Sequence, residues 1–313
     1  MILCINLNAA IDKTIVVDGF QLGDIHRPEA VKSLAGGKGC NVARALQTLG
    51  ETAVVTGWVG GTAGQFIENG LQAEGIATDF VYTDFESRTC TSILDSNNQV
   101  MTEIYENGDP VPPEKVAEML IHFRRIVGNY KAVSLSGSIP PGVPQDIYAQ
   151  LIQIAHEANV PAFLDSSKEA LLNGVAAKPF LIKPNETEVS ILAERELNSL
   201  SEFAVAASEI STHYETIVVL SMGKEGAMAA KGDEVVHVQN PLVDAKSAVG
   251  SGDSMLAGLV YGFTKDFPLA EAVMQGVAAG TANTLSIGAG QFKMADFEQV
   301  RPLVIVKLLT IDK

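Results

Sequence analysis

The sequence is poor in basic residues. Its 22 Lys and Arg face 37 Asp and Glu, giving a formal net charge of −15 over 313 residues. Nucleic acids and anionic membranes demand clustered cations, so neither is expected as a partner. Cysteine is also scarce: Cys4, Cys40 and Cys90 lie far apart and form no C-x-x-C. So sparse and odd a set reads as reduced thiols in a reducing compartment. The five histidines show no H-x-x-x-H or H-E-x-x-H spacing, which leaves transition-metal chemistry unsupported. No apolar run approaches the ~18 residues of a membrane span. No basic stretch precedes an apolar one at the N-terminus, where Met1 to Ile5 reads as a core strand. Together these absences predict a soluble, cytoplasmic protein. Hydrophobic residues are plentiful at 47%, enough for a large core and too many for disorder.

Short β-rich runs recur at 2–7, 52–59, 132–136, 162–165, 180–183 and 216–220. Helix-like stretches fall at 39–49, 64–74, 113–127, 144–158, 185–193 and 201–212, then at 254–264, 269–284 and 294–300. Strands alternating with helices predict an α/β fold: a mostly parallel sheet with helices on both faces. Two segments, about 12–34 and 89–105, break the alternation with β-like runs and no helix between them. They are expected to form a small β-sheet lid over the carboxyl ends of the main strands, where open α/β sheets bind ligands. The whole of 1–313 reads as one domain.

The most informative stretch is Gly250-Ser251-Gly252-Asp253, followed by the apolar run 255–260. Small residues allow close backbone approach, and a helix starting here would offer free N–H groups to an anion. Asp253 is an odd neighbour for an anion unless it takes a proton from an incoming hydroxyl. An ordinary turn with Asp as helix cap is the other reading. No Lys-Ser/Thr pair follows the glycines, so this is not a Walker A loop, and Met255 breaks the dinucleotide fingerprint. A second glycine-rich helix start, 35–45, carries Lys38 and Asn41 and suits a small polar ligand or simply a flexible loop. Asp12, after the first strand, could bind vicinal hydroxyls or form an Asx turn. Ser136, at the end of another strand and leading into Gly137-Ser138, shares that ambiguity. Asn185 and Glu188, three apart at a helix start, could hold hydrated Mg²⁺ through its waters or form a capping box. The 221–226 turn, with Ser221, Gly223 and Gly226, could clasp a ribose and its phosphates.

In this order the motifs resemble the ribokinase-like PfkB family of carbohydrate kinases, from Asp12 to about Gly290. Gly36-Gly37-Lys38-Gly39-Cys40-Asn41 and Gly250-Ser251-Gly252-Asp253 match its two signatures. The 6–13 segment and the Gly-Gly-Lys-Gly loop look most like ketohexose-phosphate kinases, the 1-phosphofructokinase and tagatose-6-phosphate kinase subgroup. The resemblance implies that Asp253 is the general base and that the amides of Gly250, Ser251, Gly252 and Asp253 form an anion hole. It implies that Asp12, Gly37 and Asn41 orient the sugar, with Ser136 nearby. Arg27, Lys38 and Arg88 would meet the phosphate the sugar already carries. Lys183, Asn185 and Glu188 would serve Mg·ATP, and Ser221, Gly223, Gly226 and Asn283 the nucleotide. The lid would also form a homodimer contact. Two departures, Ala248 and Ala9, occupy places where the family usually has Pro, Ser, Thr or Val and Pro respectively. They bear on sugar preference more than on catalysis.

Overall fold

The computed structural model describes residues 1–310. Its strands, in chain order, are β1 (Ile2–Ile5), β2 (Ala10–Val17), β3 (Ala30–Gly36), β4 (Ala53–Thr56), β5 (Trp58–Gly60), β6 (Ala77–Thr78), β7 (Val81–Thr83) and β8 (Arg88–Asp95). They continue as β9 (Val100–Tyr105), β10 (Ala132–Ser136), β11 (Ala162–Asp165), β12 (Leu181–Ile182), β13 (Ile217–Ser221), β14 (Ala227–Lys231), β15 (Glu234–Gln239) and β16 (Ile305–Leu309).

The main sheet runs β16-β15-β14-β13-β12-β11-β10-β1-β4-β6. From β13 to β6 every pairing is parallel. Its central strands are continuous apolar runs because both faces are covered. Along β1, Leu3 and Ile5 enter one hydrophobic cluster while Ile2 and Cys4 enter the other. The same alternation separates Leu164 from Phe163 and Val218 from Val219, so helices pack on both sides as expected.

The structure adds two features to the expected order. A helix, Lys168–Ala176, follows β11, and an antiparallel extension β13–β14–β15–β16 widens the sheet. The β14–β15 turn at Gly232-Asp233, between runs rich in Ala and Val, is the local signal for that hairpin. β12 is short because Pro184, two residues beyond it, has no N–H to extend a ladder.

The lid is a separate four-stranded sheet, β3-β2-β8-β9. Two antiparallel hairpins, β2–β3 and β8–β9, join through the parallel pair β2–β8. Its register places Ala10 opposite both Gly36 and Arg88, so the lid's inner end adjoins the Gly36–Asn41 loop. No described helix is long and apolar enough to cross a membrane.

Candidate active site

A long helix starts at the 250–253 turn. Gly250 is the N-cap of Ser251–Phe263, with φ 77°, and no side chain caps the helix. The helix therefore begins three residues earlier than the expected 254–264 stretch. Asp253 lies within its first turn and is not the cap. The amides of Gly252 and Asp253 lack intrahelical acceptors there and face the space before the turn. Asn283 braces the turn from beneath: its Nδ2 donates to the Val249 carbonyl at 2.8 Å, and its Oδ1 accepts from Ser254 Oγ at 3.1 Å. It is fully buried, which corrects the expectation that it touches a nucleotide.

Asp253 is buried and accepts a 2.8 Å hydrogen bond from Asn41 Nδ2. The opposite end of that amide, Oδ1, accepts from Arg44 Nη1 at 3.3 Å. Arg44 in turn is fixed by Glu74 and by the Ala35 carbonyl. Burial pushes the Asp253 carboxyl up to about 6; Lys38 opposes this and the nearby Asp165 charge adds to it. Asn41 and Lys183 also act to lower it. Such a group is ionised at neutral pH yet basic enough to accept a proton.

Two lysines converge on Asp165 at the carboxyl end of β11. Lys183 Nζ lies 3.2 Å from Oδ2, and Lys38 Nζ lies 3.5 Å from Oδ1. Asp165 and Lys183 are buried, whereas the Lys38 side chain is 46% exposed. These ammonium groups hold Asp165 below the usual carboxylate range against its burial. Asp165 is the main cause of the raised Lys38 pKa. A Cβ on Gly252 would stand 3.6 Å from Lys183 Nζ, so this cation sits beside the turn.

The glycines of the 36–39 loop serve close packing within the chain. At Gly37, with φ 101°, a Cβ would fall 2.3 Å from Asn6 Oδ1. Asn6 also ties the loop by donating from Nδ2 to the Gly36 carbonyl at 3.0 Å. Asp12 lies against Gly36, where a Cβ would meet its carboxyl carbon at 2.2 Å. Burial pushes Asp12 upward, while the Gly37 amide and the charges of Arg44 and Arg88 pull it down. Arg88 is half-buried and spans the lid edge, donating to the carbonyls of Asn8 and Glu106.

Two substrate-side expectations are corrected. Ser136 is sealed within the sheet, and its Oγ lacks a hydrogen-bond partner. Ser138, two residues on, is exposed and accepts from Asn8 Nδ2 at 3.1 Å. Arg27 is exposed in the β2–β3 connection, beyond the Val16–Ala30 end of the lid. Six ladder steps, roughly 20 Å at ~3.4 Å each, separate that end from Ala10. Within one protomer, Arg27 and the Lys38–Arg88 region are therefore apart.

On the opposite side, Asn185 and Glu188 form a reciprocal capping box, each side chain accepting from the other's backbone N–H at 2.9 Å. The box orients both residues and leaves the second Glu188 oxygen available. Burial raises the Glu188 pKa; the Asn185 amide and the charges of Lys183 and Lys38 oppose this. Among the described residues, no three His, Cys, Asp or Glu side chains gather to ligate a metal directly. Gly223 is exposed with open space around it, while Ser221 Oγ donates to the Pro184 carbonyl at 3.3 Å. Gly226 is buried, and its missing Cβ accommodates the Val238 carbonyl at the start of the hairpin.

Asp165 and Arg44 were not singled out from the sequence. Arg44 lies in the 35–45 helix start but past its glycines, and Asp165 ends an otherwise apolar strand. A lone acid in that position is the only local sign.

The family model for pfkB carbohydrate kinases matches residues 5–295. The chain is similar to phosphofructokinase-2 from Escherichia coli solved with fructose-6-phosphate, with 27% identity and a TM-score of 0.89. That match covers 96% of this chain and 98% of the other. It is also similar to a possible 1-phosphofructokinase from Thermotoga maritima: 26% identity and a TM-score of 0.88 over 99% of this chain and 100% of that one. Ribokinase from Arabidopsis thaliana, solved with ribose and ATP, shares the fold at 18% identity and a TM-score of 0.75, over 96% and 98% of the two chains.

Proposed function

The chain belongs to the pfkB family of carbohydrate kinases, and on that premise we propose that it phosphorylates a ketohexose phosphate with ATP. The preferred reaction is that of a 1-phosphofructokinase, fructose 1-phosphate to fructose 1,6-bisphosphate. The carrying observation is the buried Asp253 carboxylate in the same turn as the Gly252 and Asp253 amides, with Lys183 alongside. Asp253 takes the proton from the acceptor hydroxyl. The resulting oxygen attacks the terminal phosphorus in line, and the bond from phosphorus to the ADP oxygen breaks. The turn amides and Lys183 stabilise charge on the moving phosphoryl. Mg²⁺, held through water by Glu188 and Asn185, would neutralise the nucleotide phosphates.

Asp12 and Asn41 orient the sugar hydroxyls, and Lys38 and Arg88 supply positive charge for its existing phosphate. A chain of net charge −15 needs that local reversal of sign. Ser221 and Gly223 bound the nucleotide side. The lid exposes Val31, Val100, Met101, Ile104 and Tyr105, a surface suited to a second copy. Arg27 would reach a phosphate only from such a partner.

The phosphofructokinase-2 likeness favours a second reading, in which fructose 6-phosphate is the acceptor; tagatose 6-phosphate is the other candidate of this subgroup. ATP consumption should be measured against all three ketohexose phosphates and free sugars. Turnover with fructose 1-phosphate at least tenfold above the others supports the preferred assignment, and a 6-phosphate leading the panel replaces it. No consumption with any sugar would favour a non-catalytic, sugar-phosphate-binding protein. Arg88→Ala should weaken the phosphorylated sugar by roughly 10- to 100-fold in kcat/KM, about the 1.5–3 kcal/mol of a charged hydrogen bond. An equal loss with the unphosphorylated sugar would remove Arg88 from the phosphate site.

A further inference from the structure

Asp165 has no place in the chemistry above, yet it is the acidic centre of the charge cluster. Its carboxylate ends β11 and is buried. Its two oxygens face different lysines, Lys38 from the glycine loop and Lys183 from the end of β12. Both lysines exert a field on Asp253, but neither is ion-paired with it; Asn41 is its hydrogen-bond donor. Each ammonium is turned instead toward Asp165.

We propose that Asp165 is a positioning residue for the phosphoryl transfer: it holds Lys38 and Lys183 off Asp253, leaving that carboxylate free to take the hydroxyl proton. This deepens the kinase reading and rests on it. The physical need follows from the local charge count. Lys38 and Lys183 together with Asp165 and Asp253 are neutral as a group, and Glu188 lies within the field of Lys38. Without Asp165, two ammonium groups would have one buried carboxylate between them, and ion pairing with it would become their best option. An ion-paired Asp253 is a weaker base. The pairing with Asp165 also differs on its two sides. Lys183 is buried and held, whereas Lys38 is half-exposed at the longer distance of 3.5 Å. Lys38 can therefore exchange Asp165 for an incoming phosphate while Lys183 stays beside the turn.

A buried acid satisfying two lysines could be purely structural, and the test must separate the two roles. The groups acting on Asp253 are Lys38, Asp165 and Lys183, with Asn41 as hydrogen-bond donor. Asp165→Asn removes the charge while keeping the shape. It should lower kcat roughly 10- to 100-fold. It should also move the acid limb of kcat/KM to lower pH by about one unit, because the lysines turn to Asp253. The Asp253 carboxyl resonance, followed by ¹³C NMR across pH and assigned by its loss in Asp253→Asn, should shift its midpoint in the same direction without any substrate. Asp165→Glu keeps the charge one methylene further out, so it should reduce kcat yet leave the midpoint at its wild-type position.

A folded Asp165→Asn with an unmoved Asp253 midpoint overturns the proposal. So does Asp165→Glu shifting the midpoint as far as Asp165→Asn. Should Asp165→Asn not fold, Asp165→Glu decides alone: an unchanged kcat overturns the proposal, and a reduced kcat with an unmoved midpoint supports it. The NMR midpoint needs no turnover, so an inactive wild type would refute the kinase reading separately.

Discussion

Asp253→Asn should lose ~10²–10⁴-fold in kcat, the usual contribution of a positioned base. The sugar-phosphate KM should change little, because Asp12, Asn41, Lys38 and Arg88 remain. Wild-type kcat/KM should fall as pH drops through about 6, since burial places the Asp253 carboxyl there and only its ionised form can accept the proton. The variant's residual rate should lack that limb. Stability should move the other way. The folded state raises this carboxyl above its ordinary value, so the wild type carries a burial penalty above about pH 6 that fades as pH falls toward 3.8. Removing the charge should leave the thermal midpoint at pH 8 equal to or above that of the wild type. Near-normal turnover in Asp253→Asn would exclude it as the base.

Gly250→Ala should disable the turn itself. With φ at 77°, an L side chain is strained by roughly 1–2 kcal/mol. The added Cβ would also lie 2.4 Å from Ala289 Cα, too close for any real contact, and backbone on both sides would have to move. Overpacking of this kind typically costs ~1–3 kcal/mol. Displaced amides cannot meet the phosphoryl, and we expect a loss of at least ~10² in kcat together with a lower thermal midpoint. Gly252→Ala provides the contrast. Its backbone is helical, and its Cβ would make an ordinary 3.6 Å contact with Lys183 Nζ. It should fold at least as well as the wild type, gaining up to ~1 kcal/mol from helix propensity, while losing activity because the methyl group sits before the amides. A Gly250→Ala protein with wild-type melting and turnover would refute this account of the turn.

The parallel sheet, its two helical layers and the lid were legible because each rests on local periodicity. Runs such as Ile2–Ile5 and Ala132–Ser136 are apolar throughout, as strands covered on both faces must be. The antiparallel edge was less so: its turn at Gly232-Asp233 is a local signal, but Ala227–Lys231 is weakly β-like on its own and owes its place to pairing with β13 and β15. Asp253, Asn41 and Lys38 could be singled out because they lie in glycine-rich helix starts, and the fold brings Asn41 against Asp253. Ser136 and Asn283 carried the right functional groups, but tertiary packing buried them. No local pattern reports whether a hydroxyl at a strand end points into the sheet or out of it. The close packing of Gly226 against the Val238 carbonyl could not be read either, because a glycine's near neighbour is unknown until the fold is known. The resemblance grouped Arg27 with Lys38, and the length of the lid separates them within one protomer.

The sequence by itself determined the alternation of the parallel strands with most of their helices, the two glycine turns and the presence of an acid in the second. These follow from residue spacing and backbone freedom, which act over a few residues. The tertiary structure decided how that acid behaves. Asn41 meets Asp253 across 212 residues of sequence, Lys38, Asp165 and Lys183 act on it through their charges, and the burial that raises its pKa is a property of the assembled core. Charge interactions and desolvation depend on distances through space, so they appear only once the chain has closed around the site.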